Sequence, residues 1–320
     1  MIKVILEGFS SWFQPGQSPP VLKYFRAAMR VAIIGASGML GRHLTVRLRA
    51  IGRYEVLALS RHPALPGYMC FDPEKDDWHL LGRVDVLINC AGILRESKAS
   101  AFFDVHVQLV KNILQHRERI GQPRIIHFSV LGADEYNPIA FLKSKGIGDA
   151  LLLQHPDVFI LRPSIICLPE NVLVQKFKLL LQMGRLLLNL TPVPKGFLNT
   201  RIQPVMPEDI LESVIRLMEN PFSQNVIPCA GPEAFSFKDL LAMANRVRRR
   251  RTIPVEIPKA LVEPVTKNFI SVWFPEIISY DQFQLLFRDN TDPAQTLQHL
   301  LGRPTASTRT FWEELFRGGG

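Results

Sequence analysis

Val31-Ala-Ile-Ile-Gly35-Ala-Ser37-Gly38-Met39-Leu40-Gly41-Arg42 is the stretch whose reading decides the fold. The apolar run 31–34 stops at a glycine, and apolar residues then recur at intervals of three and four through 39–51. That is strand, turn, helix, with G-x-x-G-x-x-G at the junction, the setting in which a glycine pattern becomes informative. The first glycine permits a tight turn, the second lets a pyrophosphate approach the backbone, and the third lets helix and strand pack closely. The helix N-terminus adds unpaired N–H groups and a positive dipole end. Residues Gly35, Ser37, Gly38, Met39, Leu40 and Gly41 are therefore expected to cradle the phosphates of a dinucleotide.

Working outward, further apolar runs lie at 55–59, 68–71, 84–88, 124–130 and 158–161, separated by helical patterns at 101–117 and 139–154. Such alternation predicts an α/β fold with a Rossmann-type doubly wound parallel sheet. Beyond residue 165 the alternation weakens into helices at 172–188, 208–218 and 236–247 and a strand at 225–230. Ser236 reads as an N-cap with Asp239 three residues on. The expected organisation is a dinucleotide-binding domain over 29–165 and a smaller C-terminal α/β lobe with tail over 166–320, interleaved with the Rossmann core. Residues 1–28 stand apart and read as an N-terminal arm, a targeting segment, or upstream sequence ahead of a true start at Met29.

The chain of 320 residues carries 38 Lys+Arg against 29 Asp+Glu, a net charge of +9 that favours anionic partners. Cys70, Cys90, Cys167 and Cys229 are far apart and form no C-x-x-C pair, so no metal site is expected and a reducing compartment fits. The most apolar region, 172–190, is broken by Lys176, Lys178 and Arg185, which argues against a membrane-spanning helix there.

Choice of dinucleotide turns on the end of the second strand. An acidic residue there hydrogen-bonds the ribose 2′-hydroxyl of NAD. Here the strand ends Ser60-Arg61-His62. Arg61 can pair with a 2′-phosphate, and Arg42, just after the third glycine, can assist. NADP(H) is thus favoured, with NAD(H) as the alternative.

Taken with the glycine turn, five further features resemble the extended or atypical short-chain dehydrogenase/reductase superfamily over about residues 29–300: Asp72 after the third strand, Asn89-Cys-Ala91-Gly92 after the fourth, Ser129 after the fifth, Lys145, and Leu161-Arg-Pro163-Ser164 after the sixth. The resemblance implies that Asp72 contacts adenine, that Ala91, Gly92 and Pro163 line the cofactor, and that Ser129 and Lys145 flank the nicotinamide. Within the superfamily the chain is most similar to the accessory NADPH-binding subunit of respiratory complex I and related bacterial proteins. The strings carrying this are Ile88-Asn-Cys-Ala-Gly-Ile-Leu-Arg-Glu96, His127-Phe-Ser-Val-Leu-Gly-Ala-Asp134, Ile202-Gln-Pro-Val-Met-Pro-Glu-Asp209 and Cys229-Ala-Gly-Pro-Glu233.

Enzymes of that superfamily place a tyrosine four residues before the lysine as general acid/base. This chain reads Phe141-Leu-Lys-Ser-Lys145, and phenylalanine has no proton to give. Tyr136, in the loop after Ser129, is the candidate substitute, with Asp134 and His127 as other titratable groups nearby. His106 stands where relatives carry an asparagine, and as a lone helical histidine it also reads as a packing residue.

Arg246-Val-Arg-Arg-Arg-Arg251 closes a helix, where cations complement the dipole, and with the apolar 269–274 it forms a second candidate contact for an anionic membrane surface. Base-reading or stacking elements for nucleic acid are not identifiable. Two functions follow. One is an NADP(H)-preferring binding protein with a structural or assembly role near a membrane respiratory complex, cytoplasmic or peripheral on the inner membrane. The other is an NADPH-dependent reductase or epimerase-like oxidoreductase with another proton source. The substrate is unknown.

Overall fold

Odd and even residues of the first strand serve different cores. In β1 (Met29–Ile34), Val31 and Ile33 join one apolar cluster, and Ala32 and Ile34 the other. A side-chain period of two buries both sets only when helices cover both faces of the sheet. The computed structural model describes residues 28–61, 66–75, 77–97, 100–186, 188–270, 272 and 278–317. The expected arm at 1–28 lies outside the described residues except for Ala28, and so does most of 271–277.

After β1 come α1 (Met39–Ile51), β2 (Tyr54–Ser60), β3 (Met69–Cys70), β4 (Val86–Asn89), α2 (Leu109–His116), β5 (Arg124–Phe128), α3 (Ala140–Leu152) and β6 (Val158–Pro163). Next follow α4 (Val172–Leu186), β7 (Leu190–Pro194), β8 (Arg201–Ile202), α5 (Pro207–Glu219), β9 (Val226–Cys229), β10 (Phe235–Ser236), α6 (Phe237–Arg248), β11 (Ile253–Ile257) and α7 (Lys259–Val265). The chain closes with α8 (Tyr280–Leu285), α9 (Thr296–Leu301) and α10 (Arg309–Arg317).

Seven strands form one parallel sheet in the order β3-β2-β1-β4-β5-β6-β9, the doubly wound architecture read from the sequence. The order reverses between β1 and β4, which opens a crevice at the carboxyl ends of these strands where ligands of such sheets bind. On one face lie α1, α5 and α9, through Leu44, Leu48, Ile210, Val214, Leu297 and Leu301. The other face carries α2 and the end of α3, through Val110, Ile113 and Leu152. β9 reaches the sheet from beyond residue 165 and pairs with β6, so the second half of the chain shares the central sheet.

Two elements differ from the sequence reading. The third strand shrinks from 68–71 to two residues, because Phe71 turns into the core beside Trp78, edge to face at 5.1 Å. The helix expected over 101–117 is a π-helical turn at Asp104–Gln108 continued by α2. Such turns occur at functional sites, and this one carries His106.

The lobe packs around aromatic side chains: Phe177 of α4 contacts Phe237 of α6 and both Trp312 and Phe316 of α10. The Ser236 cap is a full capping box, with Ser236 Oγ accepting from the Asp239 amide and the Asp239 carboxylate accepting from the Ser236 amide. Two of the strings quoted above meet here. Gln203 Nε2 donates to the Gly231 carbonyl at 2.6 Å, and its Oε1 accepts from the Asp292 amide at 2.8 Å. The fully buried Asp209 carboxylate accepts from Arg303 and from the Ala306 amide, each at 2.8 Å, tying the last sixth of the chain to α5.

Removing one partner of a buried pair leaves an uncompensated charge, at about 3–5 kcal/mol when both are buried. The Arg303 side chain is 40% exposed, so the penalty is smaller. Arg303→Ala is expected to lower unfolding free energy by about 2 kcal/mol in urea, with α10 the first element to lose protection in hydrogen exchange.

Candidate dinucleotide site

The turn between β1 and α1 has no slack. Gly35 sits at φ +74°, and a Cβ on it would stand 2.7 Å from the Ala91 amide nitrogen. A Cβ on Gly41 would stand 2.2 Å from the Gly35 carbonyl oxygen. Strand, turn and helix are therefore in backbone contact, and the end of β4 closes on the same turn. Gly38 is the N-cap of α1, no side chain bonds the first-turn amides, and no acidic residue occupies that turn. Those amides have no intrahelical acceptor. An uncapped helix end that opens on a cleft suits a pyrophosphate.

The cleft, about 860 Å³, is lined by Gly35, Ser37, Gly38, Ser60, Arg61, Ala91 and Gly92, together with Phe71, Pro73 and Glu74 on the side of β3. These residues come from the ends of β1, β2, β3 and β4, brought together by the sheet order. Ser60 Oγ donates to Ser37 Oγ at 3.1 Å, joining the phosphate turn to the strand end that carries Arg61. Arg61 is exposed at the cleft wall.

Other expected cofactor residues stand further back. Met39 and Leu40 pack their side chains on the core, Gly41 contacts Gly35, and Arg42 pairs with Glu170 at 3.4 Å. Asp72 accepts from the Glu74 amide at 3.2 Å and lies 3.7 Å from Lys75 Nζ, in a turn whose flanking residues line the cleft. Pro163 lines a second cavity, of about 1310 Å³, where it is joined by Phe141.

Beneath Gly92 lies a buried polar cluster, most of it on α3. Lys145 Nζ donates to the Phe128 carbonyl at 2.9 Å, and a side chain on Gly92 would meet it at 3.2 Å. Burial pulls the Lys145 ammonium down to about 8, opposed by Asp149 and Cys90. Asp149, four residues on, is 1% exposed and accepts from Ser129 Oγ at 2.8 Å and from Arg162 Nε at 2.9 Å. Burial pushes the Asp149 carboxyl up, while Arg162 and Ser129 oppose that shift. Ser129 thus spends its proton on Asp149.

The two buried histidines have definable tautomers. Asn89 Oδ1 accepts from the Ala91 amide, which fixes the Asn89 amide nitrogen as donor to His127 Nδ1 at 3.0 Å. His127 therefore carries its proton on Nε2, facing Asp149 Oδ1 at 3.7 Å. Ser144 Oγ donates to the Phe141 carbonyl and accepts from His106 Nδ1 at 2.8 Å, while His106 Nε2 accepts from the Ile93 amide at 3.2 Å. Burial, and then the Lys145 charge, hold both imidazoles neutral, His106 down to about 2. His106 pins the cleft-lining loop at Ile93 to α3; it is a positioning residue.

Phe141 is buried between Phe102 at 5.7 Å and His106 at 5.8 Å. Tyr136 is 84% exposed and lines neither cavity, and Asp134 is occupied in accepting from the Tyr136 amide at 2.8 Å. The structure does not bring Tyr136 to the place where a proton donor would act.

Sequence reasoning quoted Asn89 and Arg162 only as motif members without a role, and missed Asp149 and Asp281, whose carboxylate accepts from the Ala140 amide at 3.1 Å and so holds the first turn of α3. It also missed Gly148, where a Cβ would stand 2.4 Å from the His106 carbonyl oxygen and force α3 off the π-helical turn. The spacing Lys145-x-x-x-Asp149 was the available signal, since residues four apart share a helix face.

Comparisons with known proteins agree with this fold. The NAD dependent epimerase/dehydratase family matches residues 31–137. Two curated relatives are the NADH dehydrogenase [ubiquinone] 1 alpha subcomplex subunit 9, mitochondrial, of Dictyostelium discoideum and the NADH-ubiquinone oxidoreductase 40 kDa subunit, mitochondrial, of Neurospora crassa. The first is 26% identical over 66% of this chain and 62% of its own length, the second 23% over 84% and 74%. Among solved structures, a nucleoside-diphosphate-sugar epimerase from Staphylococcus aureus covers 89% of this chain and 100% of its own at 15% identity and TM-score 0.70. UDP-glucuronic acid 4-epimerase from Bacillus cereus, solved with UDP-glucuronic acid and NAD, gives 16%, 90% and 98% with TM-score 0.65. RMD from Pseudomonas aeruginosa, solved with NADPH, gives 16%, 91% and 98% with TM-score 0.63. The resemblance to the extended short-chain dehydrogenase/reductases stands, and so does the likeness to the complex I subunits.

Because the Gly35 carbonyl occupies the space a Cβ on Gly41 needs, Gly41→Ala is expected to cost at least about 2 kcal/mol by overpacking and to abolish dinucleotide binding. Calorimetry with NADPH and NADH checks it; native affinity in the variant would show that the turn tolerates expansion.

Proposed function

We propose that the chain holds NADP(H) as a resident group and does not turn it over by the tyrosine-dependent route of its relatives. The observation that carries this is the side chain at position 141. The lysine, the serine and the cleft persist, but the residue between them and the second cavity is Phe141. When bound, the dinucleotide would supply hydride chemistry; the residues described supply binding and orientation. The first-turn amides of α1 would meet the pyrophosphate, and Lys145, a buried donor, would meet ribose hydroxyls near Gly92.

Preference for NADP(H) is supported by Arg61, a cation on the cleft wall at the strand end where a carboxylate would select the 2′-hydroxyl. Arg42 is a weaker candidate, since Glu170 already engages it.

A place beside a membrane respiratory assembly is supported by the mitochondrial relatives and by the surface of the lobe. Arg246, Arg249, Arg250 and Arg251 are exposed at the end of α6, although Arg246 and Arg248 also complement the dipole of that helix. Leu261, Val265, Phe269 and Val272, spaced by four, four and three, are each more than half exposed. Among the described residues no helix is long and apolar enough to cross a membrane, so contact of this kind would be peripheral.

Two measurements test the cofactor reading. Arg61→Asp is expected to weaken NADPH about tenfold or more, the worth of one charge-assisted contact, and to leave NADH within twofold; equal loss of both would remove Arg61 from the 2′-phosphate. Raising the pH from 7 to 9 carries Lys145 through its transition near 8 and removes its charge. The charged form favours an anionic ligand, so NADPH affinity should fall over that window. In Lys145→Met the same window should be flat and the affinity lower throughout.

A further inference from the structure

The second cavity, about 1310 Å³, opens at the carboxyl ends of β5 and β6 and is roofed by the lobe. Much of its wall is hydrocarbon: Val130 and Leu131 after β5, Phe141 from α3, Leu173 from α4, Ile202 from β8 and Leu285 from α8. A polyhydroxyl ligand placed against them would leave hydroxyls without partners, at about 1–3 kcal/mol each. The nucleotide sugar bound by the Bacillus epimerase is therefore a poor match for this chain's own residues.

Polar side chains interrupt the apolar wall, Ser164, Thr200 and Asn290 among them, and the charged ones are Lys176, Arg288 and Asp289. Lys176 of α4 donates through Nζ to Gln282 Oε1 of α8 at 2.8 Å. Arg95 lies close enough to act on Lys176 electrostatically, and burial together with that second charge disfavours the Lys176 ammonium. Arg288 stands exposed at the mouth. Asp289, also on the rim, is turned to the Arg201 amide, from which it accepts at 2.8 Å. Lys176 thus brings a positive charge to the wall of a chamber that is otherwise largely apolar, and an anion attached to hydrocarbon suits that combination.

We infer that this cavity binds a single amphiphile, with its hydrocarbon chain against Val130, Phe141 and Leu285 and its carboxylate or phosphate head at Lys176. This goes beyond the dinucleotide reading, since it concerns the neighbouring chamber. It also gives position 141 a use: a phenyl ring continues an apolar wall that a phenol would interrupt.

The test uses the full chain loaded with NADPH and a dansyl-labelled fatty acid as reporter. Competitors are dodecanoate, dodecyl phosphate, dodecanol, UDP-glucuronic acid and vesicles of phosphatidylglycerol. Dodecanoate and dodecyl phosphate should displace the reporter, dodecanol about tenfold more weakly for want of a charge-assisted contact, and UDP-glucuronic acid not at all. Displacement by vesicles as well would name a bilayer lipid as the source of the same chemistry; displacement by the free amphiphiles alone would name a soluble one. Lys176→Gln should weaken both anions about tenfold with dodecanol unchanged, and Leu285→Arg should abolish reporter binding. NADPH affinity, measured on the same samples, should stay at its native value, which separates a misfolded variant and a failed dinucleotide reading from a failed amphiphile site. No reporter binding, equal displacement by dodecanol and dodecanoate, displacement by UDP-glucuronic acid, or an unaltered Lys176→Gln profile would each overturn the inference.

Discussion

The contact between the Gly35 carbonyl and the Cα of Gly41 sets the rest of the molecule in place. With no Cβ to hold them apart, α1 lies directly on the end of β1 and its free amides point along the crevice where the sheet order reverses. The same turn touches the end of β4, so Ala91 and Gly92 line the same cleft as the turn, and Lys145 comes beneath Gly92. A single backbone approach thereby aligns three loops and one buried lysine on one cleft.

What the cleft does depends on the balance inside α3. Lys145 and Asp149 are both buried: Lys145 donates to the Phe128 carbonyl, and Asp149 Oδ2 accepts from Ser129 and Arg162 while its Oδ1 faces His127 Nε2 at 3.7 Å with no hydrogen bond. Buried ionic groups add little net stability but are costly to leave half paired. Here they serve position. His106 and His127, both neutral, complete the cluster and tie it to the loops after β4. In the proposed reading this machinery holds and orients: position 141 carries a phenyl ring with no proton to give, and Tyr136 is exposed outside both cavities.

The doubly wound sheet was legible in the sequence because burial on both faces turns each strand into an apolar run, and the turn after β1 because glycine spacing carries a steric meaning. Element ends shifted where tertiary contacts overrode local pattern, as at Phe71, which leaves the strand to pack on Trp78. That Gly35, Gly38, Arg61 and Gly92 line one cleft was also legible, since they lie on loops at strand ends. Asp149, Arg162 and Asp281 were not. Their roles come from partners 13 to 141 residues away, and nothing in one sequence announces a pairing across that distance. The chemical character of the second cavity was hidden for the same reason, being assembled from residues between Leu94 and Asn290 that meet only in the fold.

Purification of the full chain, with mass spectrometry of bound nucleotide and absorbance of its reduced form followed on addition of quinones, sugars and carbonyl compounds, tests the central claim most directly. A held cofactor predicts NADP(H) recovered near one per chain and a reduced form that persists with every compound added. Rapid, substrate-dependent oxidation of the bound NADPH would contradict it.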